Sequence, residues 1–216
     1  MNTLILKEKE KYKETILSEK SIYDVLKRVG DIFCSALALV ILSPLFLITM
    51  LVIVIDDFGT PFYKQTRIGK DDKSFTIYKF RSMRLDADEH RTELLEQNNS
   101  NGITFKMEHD PRITRVGKFI RKSSIDELPQ LINILKGDMS VVGPRPFIPN
   151  EQALLPNDRL LVKPGLSCYW QIFGKNNLSV EEQIELDLKY VKERSFFVDL
   201  KIILKTFVVI FKKENI

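Results

Sequence analysis

From Ile32 to Ile55 the chain runs 24 residues without a charge, closed by Asp31 on one side and Asp56-Asp57 on the other. An apolar stretch of that length is what a helix needs to cross a hydrocarbon core. It does not read as a secretory leader, because no small-residue cleavage site follows and the chain continues into a highly charged body. Ser43-Pro44 at its centre resists the simple span: proline removes a helical hydrogen bond and collides with the preceding turn. The break leaves arms of about 11 residues, roughly 17 Å each, and neither alone crosses a core of roughly 30 Å. Flanking charge does not set a direction, since Lys13, Lys20, Lys27 and Arg28 before the run face Lys64, Arg67, Lys70 and Lys73 after it. Ser43 can bond a backbone carbonyl freed at the break, which lets polar backbone survive in lipid. Three readings stay open on these residues: a re-entrant helix–break–helix, a proline-kinked span, and a buried core helix.

The rest of the 216 residues is ordinary globular material, enough for one real core and too little for two large ones. Cys34 and Cys168 form no disulfide framework and have no metal-ligand spacing, and His90 and His109 give a histidine metal site or a Ser-His-Asp triad little to draw on. Residues 1–20 alternate Lys and Glu and read as a solvated helix. Phe75 to Arg81 is β-branched and aromatic, a short strand whose period of two puts Lys79 and Arg81 on one face. Residues 84–97 read as a charged helix and 98–102 as a loop. From Lys106 to Lys122, Arg112, Arg115, Lys118 and Arg121-Lys122 recur at helical spacing around Val116, Phe119 and Ile120. That cationic amphipathic face suits a membrane surface or phosphates, with a solvated helix face as the bland alternative. Glu181 to Tyr190 reads as a polar helix. Phe196 to Phe211, interrupted by Asp199, Lys201, Lys205 and Thr206, reads as a packed or interfacial one.

No phosphate-binding Gly-rich loop, dinucleotide fingerprint or zinc-protease helix is present, and Asp86-Ala87-Asp88 is too short a pattern to weigh. The chemistry concentrates at Arg121-Lys-Ser-Ser-Ile-Asp126-Glu127-Leu-Pro-Gln. Ser124 and Glu127 are spaced as a capping box. That box would put Pro129 where its missing N–H loses a hydrogen bond, whereas a helix begun at Asp126 tolerates it. Neighbouring residues on a helix diverge by about 100°, so the two acids divide labour more easily than they share one atom. A helix N-terminus offers amides and positive potential to an anion, and Arg121 adds a guanidinium fork for phosphate. Further on, Pro144-Arg145-Pro146 holds an arginine on a stiff backbone that cannot continue a helix, which serves either a fixed phosphate contact or a surface turn.

Across residues 23–213 the chain resembles the bacterial sugar transferases of the monotopic phosphoglycosyl transferase superfamily. The likeness rests on ordered motifs: Lys27-Arg-x-Gly-Asp, Ser43-Pro44, Pro61-Phe-Tyr-Lys-Gln-x-Arg-Ile-Gly and Tyr78-Lys-Phe-Arg-Ser-Met. Asp110-Pro-Arg-Ile-Thr-Arg-Val-Gly, Ser124-Ile-Asp-Glu-Leu-Pro-Gln-Leu-Ile-Asn and Lys136-Gly-Asp-Met-Ser-Val-Val-Gly-Pro-Arg-Pro follow in turn. The resemblance implies an α+β, mostly helical fold: a charged tail (1–22), a re-entrant membrane helix broken at Ser43-Pro44 (23–56), and a small catalytic domain with short strands and amphipathic interfacial helices (57–216). It implies that a sugar-1-phosphate passes from a UDP-sugar to polyprenyl (undecaprenyl) phosphate, with Mg²⁺ as cofactor. Asp126 is then the nucleophile and Asp126-Glu127 the dyad and metal site, with Glu127 left open as metal ligand or base. Arg121 and Arg145, with Pro144 and Pro146 beside the latter, match phosphate-contacting positions, and Lys79 and Arg81 a basic strand nearby. The place implied is the cytoplasmic face of a bacterial inner membrane, among membrane lipid, with no nucleic-acid partner and with room for a homo-dimer. The alternative from another class is a catalytically silent membrane scaffold for polysaccharide assembly. Departures come late: the family's Arg-Pro-Gly-Ile-Thr-Gly is Lys163-Pro-Gly-Leu-Ser-Cys168 here, which loses a guanidinium fork and replaces a glycine.

Overall fold

The computed structural model describes residues 21–87, 110–174 and 178–211. Two helices open it, α1 (Ser21–Ile41) and α2 (Ser43–Asp56), bent by 61° at the break. Among the described residues no single helix is long and apolar enough to cross a membrane, while this bent pair is so taken together. The local cause is as the sequence implies. Pro44 has no N–H for the carbonyl of Val40, and the Ser43 hydroxyl donates to that oxygen instead, at 2.8 Å. Along α1, Asp24, Lys27, Arg28, Asp31 and Ser35 turn inward at helical spacing, whereas Ile22, Val25, Leu26, Val29, Phe33 and Leu37 stand exposed. On α2 only Thr49 and Ile53 are buried.

The remaining elements form a mixed α+β body in which helices dominate. Strands β1 (Phe62–Ile68) and β2 (Ser74–Phe80) pair antiparallel with Tyr63 opposite Lys79 and Gln65 opposite Ile77. Helix α3 (Arg115–Lys122), a 3₁₀ turn (Ile125–Glu127) and α4 (Gln130–Lys136) lead to β3 (Ser140–Val142). After the short helix α5 (Pro149–Gln152) and a 3₁₀ segment (Asn157–Leu161), β4 (Gly165–Ser167) pairs parallel to β3. The short α6 (Tyr169–Phe173) and the longer α7 (Val180–Glu193) and α8 (Phe196–Phe211) close the chain. Helix α7 begins with a reciprocal box between Ser179 and Glu182.

The alternation of the hairpin places it between two cores. Phe80 stacks on Phe62 and meets Phe46 of α2, burying one face with Ile53 and Ile120. On the other face Ile77 packs with Leu131, Ile134 and Met139 against Ala38, Leu39 and Leu42 at the end of α1. Where a third strand would pair with β2, the buried Asn133 of α4 does so with its side chain. Its carboxamide oxygen accepts from Tyr78 N at 3.0 Å, and its amide donates to Thr76 O at 2.7 Å. These bonds satisfy two part-buried backbone groups on that edge of β2.

Polar contacts tie the bent pair to this body at both ends. Asp56 accepts from the amide of Val116 in the first turn of α3, at 3.1 Å. Arg81 donates to the carbonyl of Asp57 and lies 3.5 Å from its carboxylate. Arg28 donates to the last carbonyls of α4, Ile134 O at 2.5 Å and Leu135 O at 2.8 Å. Asp31 accepts from Val141 N at 3.0 Å.

Several local expectations are corrected. Arg112 does not belong to the cationic helix face. It precedes α3, is buried, and grips Asp110 with two nitrogens at 2.9 and 2.6 Å, which holds that carboxyl below its ordinary range. The exposed face of α3 is Arg115, Lys118, Phe119, Arg121 and Lys122. No helix begins at Asp126, and Ser124 caps nothing with its side chain: it takes a left-handed φ of 57°, the acids lie on the 3₁₀ turn, and Pro129 is the N-cap of α4. Residues 85–87 form a turn. The rest of the helix expected over 84–97, Asp88, both histidines, the loop at 98–102 and the tail of residues 1–20 lie outside the described residues.

Candidate active site

Ser124, in the left-handed conformation, turns the chain sharply between α3 and the 3₁₀ turn. The tight turn keeps both acids close to the end of β2. Lys79 Nζ lies 2.7 Å from Glu127 Oε1 and 4.0 Å from Asp126 Oδ2. Arg145 reaches the same Glu127 oxygen, its Nη1 at 3.7 Å, while its guanidinium lies 5.6 Å from the centre of the Trp170 ring. Asp126 is 14% exposed. Burial pushes its carboxyl above the ordinary aspartate range. Lys79 opposes that shift, the charge of Glu127 adds to it, and Arg121 and Arg145 pull it back.

An open cleft of about 250 Å³ lies against these groups, lined by Lys79, Glu127 and Arg145 together with Arg67, Gln130 and Leu166. The β1–β2 register explains its floor: Arg67, Ile77 and Lys79 are on one face of the hairpin. The segment carrying Arg145 is fixed by its carbonyls, as two prolines without N–H groups require. Pro144 O accepts from Gly165 N at 2.9 Å, Arg145 O from Arg159 at 2.5 Å, Pro146 O from Arg67 at 3.2 Å and Phe147 O from Ile68 N at 2.9 Å. Gly165 has to be small, because a Cβ there would meet Gly143 N at 2.0 Å. Arg159 is itself buried and held by Asp187 at 2.6 Å and Gln152 at 2.6 Å.

The structure thus brings Asp126, Glu127, Lys79 and Arg145 together, with Arg121 exposed at the end of α3 and close enough to act on Asp126. Pro144 and Pro146 are buried beside them. Arg81 is not brought in: β2 ends at Phe80, and its guanidinium turns to Asp57 and Phe58. Arg67, Gln130 and Trp170 were not singled out by sequence. The first two stand inside the Pro61–Gly69 and Ser124–Asn133 motifs, but nothing in their spacing marks a cleft. Cys168 in the family's glycine position has φ −148°, extended backbone open to any residue, so this departure brings no strain.

Among the described residues no group of three or more His, Cys, Asp or Glu side chains could hold a metal alone. Two adjacent carboxylates beside a cationic cleft nevertheless fit Mg²⁺. That ion keeps several waters and takes one or two carboxylates plus substrate phosphates rather than an all-protein cage.

A model of the bacterial sugar transferase family matches residues 22–213, and the chain belongs to that family. It is 48% identical over 158 residues to galactosyl transferase CpsE of Streptococcus agalactiae serotype III, covering 71% of this chain and 35% of that one. It is 42% identical over 197 residues to the undecaprenyl-phosphate galactose phosphotransferase of Salmonella typhimurium, covering 88% and 41%. With the exopolysaccharide production protein ExoY of Rhizobium meliloti it shares 41% identity over 187 residues, 83% of each chain. The chain therefore spans well under half the length of the first two relatives and most of the third.

Proposed function

We propose that this chain is a phosphoglycosyl transferase of the inner membrane's cytoplasmic face, moving a sugar-1-phosphate from a UDP-sugar to undecaprenyl phosphate. The observation that carries the reading is the pair Asp126-Glu127 held on one tight turn against Lys79 and Arg145, on a body bolted to a bent apolar helix pair. The names of the Salmonella and Streptococcus relatives supply the acceptor and make galactose the first sugar to try.

In this reading the bent pair is re-entrant. Its exposed apolar side chains lie in lipid, as do those of α8, where Phe196, Phe197, Leu204 and Phe207 are exposed. The acceptor's phosphate then stays at headgroup level, where the cleft is. An Asp126 carboxylate oxygen attacks the sugar-bearing phosphorus and forms a P–O bond to the enzyme. The bond to the other phosphate breaks, and UMP leaves with that bridging oxygen. A phosphate oxygen of the polyprenyl phosphate then attacks the same phosphorus, releases Asp126 as a carboxylate and yields polyprenyl-diphosphate-sugar. Arg145 and Arg121 hold the donor's diphosphate, and Lys79 holds Glu127 in place and opposes the effect of burial on Asp126. Mg²⁺, held by Asp126 and Glu127, would offset the diphosphate charge.

The test is UMP release from a panel of UDP-sugars with undecaprenyl phosphate. UMP release with at least one sugar is expected, and Asp126→Asn should bind membranes normally while losing on the order of 10⁴-fold in turnover. Substantial residual turnover in that variant would exclude Asp126 as nucleophile, and no release with any donor would favour the silent scaffold.

A further inference from the structure

A second cleft, of about 500 Å³, shares no lining residue with the first. It lies between the first turns of α1, the 3₁₀ turn at Lys70–Asp72, β3 and the segment Leu161–Lys163. Its acids are already engaged: Asp24 pairs with Arg194 at 3.3 Å, and Asp31 accepts the Val141 amide. Lys27 is likewise neutralised by Asp199 at 2.6 Å. Arg28, Lys70 and Lys163 are left. Arg28 is bonded only to helix-end carbonyls, and no carboxylate lies within ion-pair distance of Lys70 or Lys163 among the described residues.

Arg28 and Lys163 crowd one another, and Lys70 lines the same cleft. A Cβ placed on Gly137 would sit 3.3 Å from an Arg28 nitrogen and 3.5 Å from Lys163 Nζ, so both heads converge on one point. Gly137 ends α4 at φ 93°, and with no side chain there the two heads can come this close to its backbone. Burial lowers the pKa of Lys163 and Arg28 lowers it further; Asp31 pulls it back, Lys70 adds a smaller push down, and Asp138 opposes least. Arg28, Lys70 and Lys163 outnumber the Asp31 carboxylate that shares their cleft, and a bridging anion would offset the remaining repulsion.

We propose that this cleft is a second anion site that takes a phosphate group at the membrane surface, independent of the carboxylate cleft. Two sources share that chemistry: the headgroup of an anionic phospholipid and a soluble phosphate. The lipid source rests on the re-entrant reading given above. The face of α1 opposite the cleft carries exposed Ile22, Val25, Leu26 and Val29, and burying it in lipid sets Arg28 and Lys163 at headgroup depth.

The test uses the full chain in a neutral detergent, with no donor or acceptor, so a failure of the transfer reaction leaves its result readable. Dihexanoyl phosphatidylglycerol and inorganic phosphate are titrated separately, and the melting midpoint is followed for the parent, Lys70→Gln/Lys163→Gln and Arg145→Gln. The parent should be stabilised saturably. The double variant should bind at least tenfold more weakly, and Arg145→Gln should match the parent within twofold. Without ligand the double variant should melt no lower than the parent, because the repulsion has been removed, and Lys163→Arg should retain binding. A response to phosphatidylglycerol alone assigns the lipid source, and an equal response to phosphate assigns the soluble one. No response in the parent, an undiminished response in the double variant, or a response lost only in Arg145→Gln would each overturn the site.

Discussion

Asp126 can act as a nucleophile only while it is a carboxylate, and its surroundings pull in both directions. Burial favours the neutral acid, and Lys79 is the largest opposing influence. The raised pKa has a definite sign: activity is full above it and falls as pH drops through it, so the acidic limb of kcat/KM lies above the ordinary aspartate value of 3.8. Lys79→Met should move that limb to still higher pH, since the strongest influence favouring the charged form is removed. A pH–rate profile on both proteins measures this, and an unmoved limb would mean that Lys79 does not tune the acid. Asp187 offers a parallel test on stability. Burial raises its carboxyl to about 6 despite Arg159, and its Oδ1 is buried without a partner. The folded state therefore binds the proton more tightly than the unfolded one. The contribution is full below pH 3.8 and is lost as pH rises through about 6. Asp187→Asn should flatten the denaturant-measured stability across that window, and an unchanged slope would contradict the assignment.

Among the elements, α4 matters most to the site, because it follows the acids directly and its Asn133 completes the edge of the strand that carries Lys79. Asn133→Leu removes the partners of two part-buried backbone groups of β2, at a cost of about 2 kcal/mol. It should also loosen the contact between Lys79 and Glu127. Chemical denaturation reads the first effect, and a loss below 1 kcal/mol would show that water replaces the carboxamide. Element by element, legibility followed how local the physics is. Strand β2, the break at Ser43-Pro44 and the polar helix α7 depend on period, proline geometry and capping, all written within a few residues. The turn holding Asp126 did not follow from the same rules. Ser124 adopts a left-handed φ that no serine advertises, and the capping-box spacing pointed to a bond it does not make. Arg112 fits a helical period too, but Asp110 two residues earlier captures it before α3 begins. Arg81 fits the strand period and is diverted because the strand stops one residue short of it.

At the scale of the molecule, the bent pair and the carboxylate cleft form one assembly: α2 ends on the first turn of α3, and α1 ends the helix that follows the acids. That coupling was not legible in sequence, since Arg28 and Leu135 are 107 residues apart. The acids themselves, Arg145 and Lys79 were reached through ordered motifs. Arg67 and Gln130 emerged only once the hairpin register and α4 were in place. The proposed two-step transfer requires that Asp126 accept the sugar phosphate as a covalent bond. The full chain in lipid nanodiscs, given UDP-galactose labelled in the sugar and no acceptor, should release UMP and retain label on the peptide containing Asp126. Undecaprenyl phosphate should then chase the label into lipid. UMP release that waits for the acceptor, with no labelled peptide while turnover proceeds, would contradict it and favour a direct displacement in which the dyad only holds metal and proton.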